Sequence, residues 1–358
     1  MQTRSEPILS PESGNSYDVI VIGAGQAGLA MGYYLHLQRK NFLLLDAAAQ
    51  VGDSWRARYD SLRLFTPAEY CSLPGWPLLL PKGYYPTKDE IASYLQQYAA
   101  QFQLPVKLKQ PVVSMSKANG TFQIQTPTQV CQARQVVIAT GPFQTPFVPD
   151  IAKTLPPEIT QLHSSQYRNP SQVPNGNVLV VGAGNSGAQI AVELAQTHEV
   201  QVSVKRKPRF SALRMLGQSV FWWATQTGAI YASPSSRVGK KVLQKSDVIY
   251  GQDFQKLLKK GEVLLRSEIV ALKEQEMVFK DGSRATFNSI IWATGFRPEY
   301  GWLQVEGALA ENGHPIHKQG VSPVEGLFYL GLSWQRSRSS ALLLGAGHDA
   351  QFIAQRLV

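Results

Sequence analysis

The stretch YDVIVIGAGQAGLA, residues 17–30, decides the fold. Its first part, Tyr17–Ile22, is an apolar and β-branched run that is typical of a strand buried on both faces. The glycine-rich segment Gly23–Gly28 follows at once, and apolar residues then recur at four-residue spacing from Leu29 to Leu37, which predicts a helix. A strand, a GxGxxG turn and a helix in this order predict a dinucleotide-binding Rossmann unit.

The same outline occurs a second time in the chain. Val178–Val181 leads into a second glycine-rich segment, Gly182–Gly187, after which a helix is predicted through about Ala195 and a strand over Val200–Val204. Each copy also ends in a similar strand, which reads VVIATG at residues 136–141 and IIWATG at residues 290–295. A repeat of this length indicates a duplicated domain rather than a solenoid.

A predicted hairpin precedes the closing strand of each copy, with Asn119-Gly120 at the first turn and Asp281-Gly282 at the second. The sequence therefore predicts an α/β fold with two Rossmann-like dinucleotide-binding domains, each carrying a small antiparallel β-meander. We expect the second domain, residues 156–299, to be inserted into the first, which comprises residues 1–155 and 300–358.

The glycines stand where a bound pyrophosphate requires them. The first permits a tight turn, the second lets the backbone approach the phosphates, and the third lets helix and strand pack closely. The pyrophosphate then lies at the positive end of the helix. The predicted cofactor contacts are Gly23, Gly25, Gln26, Ala27, Gly28 and Thr140 in the first copy, and Gly182, Gly184, Asn185, Ser186, Gly187, Thr294 and Gly295 in the second.

The two copies differ where the adenosine ribose would lie. In the first copy the second strand, Phe42–Leu45, ends at Asp46, whose carboxylate can accept hydrogen bonds from the ribose. In the second copy the matching strand end carries Lys205 and Arg206, which would pair with a 2′-phosphate. This asymmetry predicts FAD in the first copy and NADPH in the second. Nucleic acid is a less suitable partner for these cations, because no stacking aromatic residues alternate with them.

Composition excludes several classes of protein. The chain has 358 residues, a net charge of +10, 44% apolar and 17% charged residues, which is a globular rather than a disordered composition. Its two cysteines are far apart in sequence, which excludes a disulfide scaffold, a cysteine-based zinc site and a CxxC redox pair. No metal site is predicted. We expect a cytoplasmic protein without a transmembrane segment, whose first 16 residues form a disordered polar leader.

Several short motifs together resemble the class B flavoprotein monooxygenases, and in particular small bacterial flavin-containing monooxygenases. Besides the two glycine segments they are VGDSWR at residues 51–56, LRLFTP at 62–67, ATGF at 293–296 and GAGHDA at 345–350. Flavin disulfide reductases also combine two Rossmann domains, but they need a reactive cysteine pair beside the flavin. This sequence has no such pair. The resemblance covers nearly the whole chain.

The resemblance implies roles for residues outside the glycine turns. Ser54 and Trp55 would wrap the flavin, and Thr66 would lie near its reactive carbon as the candidate catalytic residue. The family signature FxGxxxHxxxY/F matches here at His163 and Tyr167, whereas Pro157 and Ile159 replace its Phe and Gly. Tyr167-Arg168 in place of the Trp motif of ketone-oxidising members favours oxidation at nitrogen or sulfur.

The activity implied by the resemblance is an FAD- and NADPH-dependent monooxygenase. It would insert one oxygen atom from O2 into a sulfide or amine through a C4a-(hydro)peroxyflavin. The partners would be O2 and a small-molecule substrate, and a homodimer is a compatible assembly. Three alternatives stay open: a flavin NAD(P)H oxidase or reductase, a Baeyer–Villiger ketone monooxygenase, and a non-enzymatic nucleotide-binding or redox-sensing protein.

Overall fold

The structure is a computed structural model that describes residues 15–244, 248–273 and 276–358. Within these ranges no helix is both long and apolar enough to cross a membrane. Residues 1–14 of the predicted leader lie outside the described residues. Ser16, which was assigned to that leader, already begins the first strand of the protein.

The chain forms 21 strands and eight α-helices within the described ranges. The helices are α1 (Gln26–Leu37), α2 (Asp53–Arg56), α3 (Lys88–Gln101), α4 (Asn185–Leu194), α5 (Val220–Gln226), α6 (Arg237–Leu243), α7 (Asp253–Lys260) and α8 (Leu343–Ala354). The strands are β1 (Ser16–Ile22), β2 (Phe42–Leu45), β3 (Val106–Lys107), β4 (Ser114–Ala118), β5 (Thr121–Gln125), β6 (Val130–Ile138), β7 (Thr145–Pro146), β8 (Thr160–His163), β9 (Asn177–Val181), β10 (Glu199–Ser203), β11 (Arg209–Ser211), β12 (Arg214–Met215), β13 (Gln218–Ser219), β14 (Val248–Tyr250), β15 (Val263–Arg266), β16 (Ile269–Lys273), β17 (Glu276–Phe279), β18 (Arg284–Ala285), β19 (Ser289–Trp292), β20 (Phe296–Arg297) and β21 (Leu327–Tyr329).

The first sheet has the order β3-β2-β1-β6, and these four strands are parallel. One edge of β6 is divided between two partners. Its first half pairs with β5 in an antiparallel ladder that continues to β4, and its second half pairs in parallel with β21. The predicted meander is therefore present, and it extends the parallel sheet directly.

The second sheet has the order β15-β10-β9-β19-β8 and is parallel throughout. Its meander, β16-β17-β18, forms a separate three-stranded antiparallel sheet. Both hairpin predictions are confirmed, because the turns at Asn119-Gly120 and Asp281-Gly282 join antiparallel strands. The prediction of two Rossmann-like α/β units is also confirmed.

The residues that form the second sheet lie, in the chain, between two segments that belong to the first sheet, which is the order expected of an insertion. Strands of the first sheet come from residues 16–138 and 327–329, and strands of the second from residues 160–292. Between them, β7 and β20 pair with each other in a short antiparallel ladder, where the chain leaves and re-enters the first unit. The exact boundaries near residues 155 and 300 stay a prediction.

Alternation along the central strands builds a hydrophobic core on each face of each sheet. In β1, Val19 and Val21 pack into one core with helices α1, α3 and α8, whereas Ile20 and Ile22 pack into another on the opposite face. All four are less than 5% exposed. Such burial on both faces is why the central strands read as continuous apolar runs instead of alternating ones. Because the glycine turns directly follow these buried strands, the packing of the strands also fixes the position of the turns.

Candidate functional site

The first and third glycines of the first copy are required by packing. Gly23 has φ +104°, and a Cβ there would lie 2.6 Å from the carbonyl oxygen of Ala139. A Cβ at Gly28 would lie 1.8 Å from the carbonyl oxygen of Gly23. The strand β1, the helix α1 and the end of β6 therefore approach one another too closely for any side chain at these two positions.

Gly25 is required for a different reason. Its φ of −74° suits any residue, and within the described chain no atom lies within 4 Å of a Cβ placed there. Neither backbone strain nor packing explains the glycine. Helix α1 starts at this point without a capping side chain, so no side chain of the described residues satisfies its first backbone N–H groups. A pyrophosphate fits this cradle, because a Cβ would occupy the space that the phosphates need.

The second copy repeats this geometry. Gly182 has φ +101°, with a Cβ 2.5 Å from the carbonyl oxygen of Ala293, and a Cβ at Gly187 would lie 2.0 Å from that of Gly182. Gly184 has φ −73° and open space around it among the described residues. Asn185 lies at the start of α4, and its side chain accepts a hydrogen bond from the Tyr250 N–H at 2.9 Å. The second cradle also fits a pyrophosphate.

Both cradles open onto one cleft of about 810 Å³. Most of the predicted site residues line it, namely Gly23, Gly25, Gln26, Ala27, Asp46, Ser54, Trp55, Thr66, Thr140, Gly184, Asn185, Ser186, Gly187 and Gly295. Five predicted residues do not, namely Gly28, Gly182, Lys205, Arg206 and Thr294. Gly28 and Gly182 lie within the glycine-rich segments, where they contact backbone atoms closely. The Thr294 hydroxyl donates a hydrogen bond to the carbonyl oxygen of Phe147, beside the ladder of β7 and β20.

Asp46 is oriented by the backbone around it. One carboxylate oxygen accepts the Ala24 N–H at 2.6 Å, and the other accepts the Ala48 N–H at 2.8 Å. The carboxylate thus braces the glycine turn from the end of β2 and also faces the cleft. Each carboxylate oxygen has a second acceptor site, which leaves capacity for a ribose hydroxyl.

Lys205 and Arg206 lie outside the set of residues that line the cleft. Strand β10 ends at Ser203, so both residues lie beyond it, and both are exposed. The Lys205 ammonium forms an ion pair with Glu268 at 3.1 Å, although its side chain is 81% exposed. Their contact with a 2′-phosphate stays a prediction, and it requires Lys205 to exchange its carboxylate partner.

The predicted flavin-side residues lie together in the cleft. Trp55 belongs to the short helix α2. Its N-cap residue is Gly52, where φ is +92° and a Cβ would lie 2.6 Å from the carbonyl oxygen of Ala92. Trp55 is half-buried and Thr66 is 5% exposed. Thr66 is thus a largely buried hydroxyl among the residues that line the cleft.

Sequence reasoning missed several residues of the cleft. Tyr59 donates a hydrogen bond from its hydroxyl to Gln189 Oε1 at 3.0 Å, and Gln189 Nε2 donates to the carbonyl oxygen of Arg63 at 3.2 Å. These contacts connect the segment after α2 with helix α4, and so connect the two copies. The clue was the run RARYD directly after Trp55, which is unusually polar for a segment between two apolar motifs.

His163 joins the end of β8 to the crossing ladder. It is 2% exposed, and its ring nitrogens lie 3.0 Å from the carbonyl oxygen of Gly295 and 2.8 Å from the Ser165 hydroxyl. Its ring also contacts Phe296 edge-on at a centroid distance of 5.1 Å. Burial lowers the pKa of His163, and the nearby Arg58 lowers it further. A neutral histidine that couples the two units matches this environment.

The sequence profile of the pyridine nucleotide-disulphide oxidoreductases matches residues 20–226. The chain belongs to this family. The oxidoreductase CzcO of Bacillus subtilis is 46% identical over 95% of this chain and 99% of its own length. The indole-3-pyruvate monooxygenase YUCCA4 of Oryza sativa is 28% identical over 94% of the chain and 87% of its own length. A flavin-containing monooxygenase from Stenotrophomonas maltophilia superposes with a TM-score of 0.79 at 28% identity, covering 96% and 98% of the two chains.

These comparisons confirm the predicted relationship to flavoprotein monooxygenases. They also confirm that the chain is an oxidoreductase. The match to a pyridine-nucleotide family supports the prediction of FAD and NADPH as cofactors. Fold similarity extends to a bacillithiol disulfide reductase from Staphylococcus aureus, with a TM-score of 0.70 at 17% identity. At that identity the likeness concerns the fold alone.

The cysteines do not form the redox pair that the family description suggests. Cys71 and Cys131 are both free and buried, and they belong to cores on opposite faces of the first sheet. Cys71 borders the cleft, but burial raises the pKa of its thiol to about 12, which keeps it protonated and a poor nucleophile. Dithiol chemistry at the cleft therefore has no support in the chain.

Proposed function

We propose that this protein is an FAD- and NADPH-dependent monooxygenase that transfers one oxygen atom from O2 to a soft nucleophile, a sulfide or an amine. The observation that carries the proposal is the opening of both glycine cradles onto a single cleft. Two dinucleotides held there would bring their reactive rings together between the two units. Overall, substrate, O2, NADPH and a proton would become oxygenated product, water and NADP+.

When bound, the flavin supplies the redox and oxygen chemistry, and the protein orients and shields it. The N–H groups at the start of α1, beyond Gly25, would hold the FAD phosphates, and Asp46 would accept hydrogen bonds from the ribose. The corresponding N–H groups beyond Gly184 would hold the nicotinamide dinucleotide. Leu64 and Leu343 line the cleft as apolar side chains, and such walls exclude the water that would divert the reaction toward peroxide.

Thr66 is the polar side chain that we assign to the flavin side of this wall. Its hydroxyl can donate or accept a hydrogen bond at a bound ring, and it is largely buried at the wall of the cleft. The neighbouring Cys71 uses its thiol to donate to the carbonyl oxygen of Thr66 at 3.5 Å, which restrains the backbone there. We therefore propose that Thr66 positions the reacting end of the flavin.

A second candidate substrate class is the 2-oxo acids. The rice relative is named for the oxygenation of indole-3-pyruvate, which is such an acid. The charges of the cleft favour an anion, since three arginines line it, Arg58, Arg63 and Arg338, against two carboxylates. Asp46 is engaged by backbone N–H groups and Asp53 by Arg56. Oxygenation of a 2-oxo acid would yield a carboxylic acid and CO2.

Product analysis with the FAD-loaded protein tests the proposal. We expect NADPH consumption to be matched by sulfoxide from an aryl methyl sulfide, with little hydrogen peroxide. Recovery of all consumed O2 as peroxide with every substrate would instead identify an oxidase, and lactone from a cyclic ketone without sulfoxide would identify a Baeyer–Villiger enzyme. Acid and CO2 from a 2-oxo acid, without sulfoxide, would select the second candidate.

A comparison of Thr66→Ala with Thr66→Ser tests whether the Thr66 hydroxyl positions the flavin or whether the side chain only fills space. We expect Thr66→Ala to retain FAD and to divert about tenfold more NADPH to peroxide, whereas Thr66→Ser keeps the hydroxyl and stays near the parent. Equal diversion by both variants would assign Thr66 to packing.

A further inference from the structure

Arg58 lines the cleft onto which both cradles open, and it lies two residues beyond the end of α2. Its guanidinium contacts two aromatic rings, Phe143 and Phe296, each at 5.2 Å from the ring centroid. The two rings meet edge-on at 5.4 Å. Phe143 follows the first copy's closing strand and Phe296 the second's, so the cation is held at the junction of the two units.

The guanidinium is largely unpartnered within the residues that the structure describes. Its Nε–H donates to the carbonyl oxygen of Ser54 at 3.1 Å, and it forms no ion pair with a described carboxylate. A guanidinium carries five N–H donors, so the two terminal nitrogens of this cleft-lining residue retain donors without a partner among the described residues. Few cations in a half-buried site are left without an anion.

Neighbouring charges increase the need for an anion. A second guanidinium, that of Arg168, donates to the carbonyl oxygen of Arg58 at 3.1 Å. Burial lowers the pKa of Arg58, and Arg168 lowers it further, although a guanidinium remains protonated near neutral pH. The adjacent residue Tyr59 binds Gln189 on the first turns of α4, so Arg58 lies beside the second cradle.

We infer that Arg58 binds an anionic group where the two cofactors meet, as a planar fork that two aromatic rings hold in position. The group is the pyrophosphate of the nicotinamide dinucleotide, which NADP+ and NAD+ share, or the carboxylate of an acidic substrate. Both are planar or branched oxyanions that a guanidinium binds with two parallel hydrogen bonds. This inference rests on the proposed function, because it assigns the second cradle to the nicotinamide dinucleotide.

The test measures ligand binding as well as turnover, using the FAD-loaded protein. The variants are Arg58→Gln, which removes the charge, and Arg58→Lys, which keeps the charge but loses the fork. Arg134→Gln, an exposed arginine on β6, is the matched control. NADP+ and NAD+ are titrated calorimetrically, and KM is measured for (phenylthio)acetate, a sulfide with a carboxylate, and for thioanisole, a neutral sulfide. FAD content and melting temperature establish that each variant is folded.

If the anion is a phosphate, Arg58→Gln should weaken NADP+ and NAD+ equally, by about 10- to 100-fold, and Arg58→Lys should lie between parent and Gln variant. If it is a substrate carboxylate, nucleotide binding stays constant and KM rises about tenfold for (phenylthio)acetate only. If folded Arg58→Gln binds both nucleotides with unchanged affinity and keeps the parent KM for both sulfides, this inference is overturned, while the proposed function is not affected. A parent that binds neither nucleotide would overturn the proposed function together with it.

Discussion

The two dinucleotide cradles have the same backbone conformation, but the side chains around them differ. The first glycines have φ +104° and +101°, and a Cβ at the third glycines would lie 1.8 and 2.0 Å from the carbonyl oxygens of the first. The second glycines, at φ −74° and −73°, are both surrounded by open space within the described chain. Such agreement across the repeat shows that three glycines and a buried strand suffice to build the cradle.

The difference begins at the end of the next strand. Asp46 is held by two backbone N–H groups and faces the cleft, whereas Lys205 extends into solvent and pairs with Glu268. A preorganised carboxylate distinguishes the first site, and exposed cations distinguish the second. From this comparison we propose that the shared backbone geometry binds a dinucleotide and that the residues at the strand end select which one.

The outer strand of each sheet also differs in origin. Beside the closing strand of the first copy lies β21, which comes almost 190 residues after it in the chain, and beside that of the second lies β8, which precedes it. Corresponding positions in these two strands hold Tyr329, paired with Ile138, and His163, paired with Trp292. Only the second copy thus has an imidazole at this position, and burial lowers its pKa below the ordinary value.

The largest expected effect comes from filling the first cradle. Gly25→Leu can adopt the native φ, and its side chain enters space that no described residue occupies. We expect a folded protein that has lost FAD, with flavin absorbance at least 100-fold below that of the parent. Gly28→Leu is the contrasting control, because a Cβ there meets backbone at 1.8 Å and should prevent folding. A folded Gly25→Leu protein with a full complement of flavin would refute the assignment of this cradle.

Filling the second cradle should leave the flavin in place. Gly184→Leu has the same backbone freedom and the same open surroundings as Gly25→Leu. We expect it to retain FAD and to lose reduction by NADPH by about 100-fold, as followed by flavin bleaching in a stopped-flow instrument. Reduction by dithionite should be unaffected. Loss of FAD with intact nicotinamide binding would reverse the assignment of the two copies.

The strand-end difference predicts a moderate preference for NADPH over NADH. A charge-assisted hydrogen bond contributes about 1.5–3 kcal/mol, and exposure of Lys205 places its effect toward the low end. We expect Lys205→Ala, Arg206→Ala to lower the NADPH/NADH ratio of kcat/KM by about tenfold. Glu268→Gln, which releases Lys205, should raise the ratio by about twofold. Equal use of both cofactors by the parent would end this proposal.

The smallest expected effect concerns pH. Burial lowers the pKa of His163, so between the folded and unfolded pKa values the unfolded chain binds more protons than the folded one. Its contribution to stability is therefore complete above the unfolded value of about 6.5 and decreases as the pH falls. We expect the fall in melting temperature between pH 7.5 and 5.5 to be smaller in His163→Gln than in the parent. The exposed His314→Gln should match the parent, and a fall of parental size in His163→Gln would contradict the prediction.

Local sequence determined the two cradles and the elements around them. Strand β2 has the predicted bounds Phe42–Leu45, and both hairpin turns lie where Asn-Gly and Asp-Gly place them. These predictions succeed because a turn, a glycine and an adjacent buried strand act within a few residues of one another. The prediction of FAD and NADPH also used local sequence, because it needed only the residues at the end of the strand that comes next in the chain.

Tertiary structure alone decided which distant segments meet in the cleft. The junction around Arg58 needs Phe143 and Phe296, which arrive from the ends of two different sheets. The pairing of Lys205 with Glu268 and the hydrogen bond of Tyr59 to Gln189 likewise join residues far apart in sequence. No periodicity or motif encodes such contacts, because they depend on how two separately folded units pack and on where the chain crosses between them.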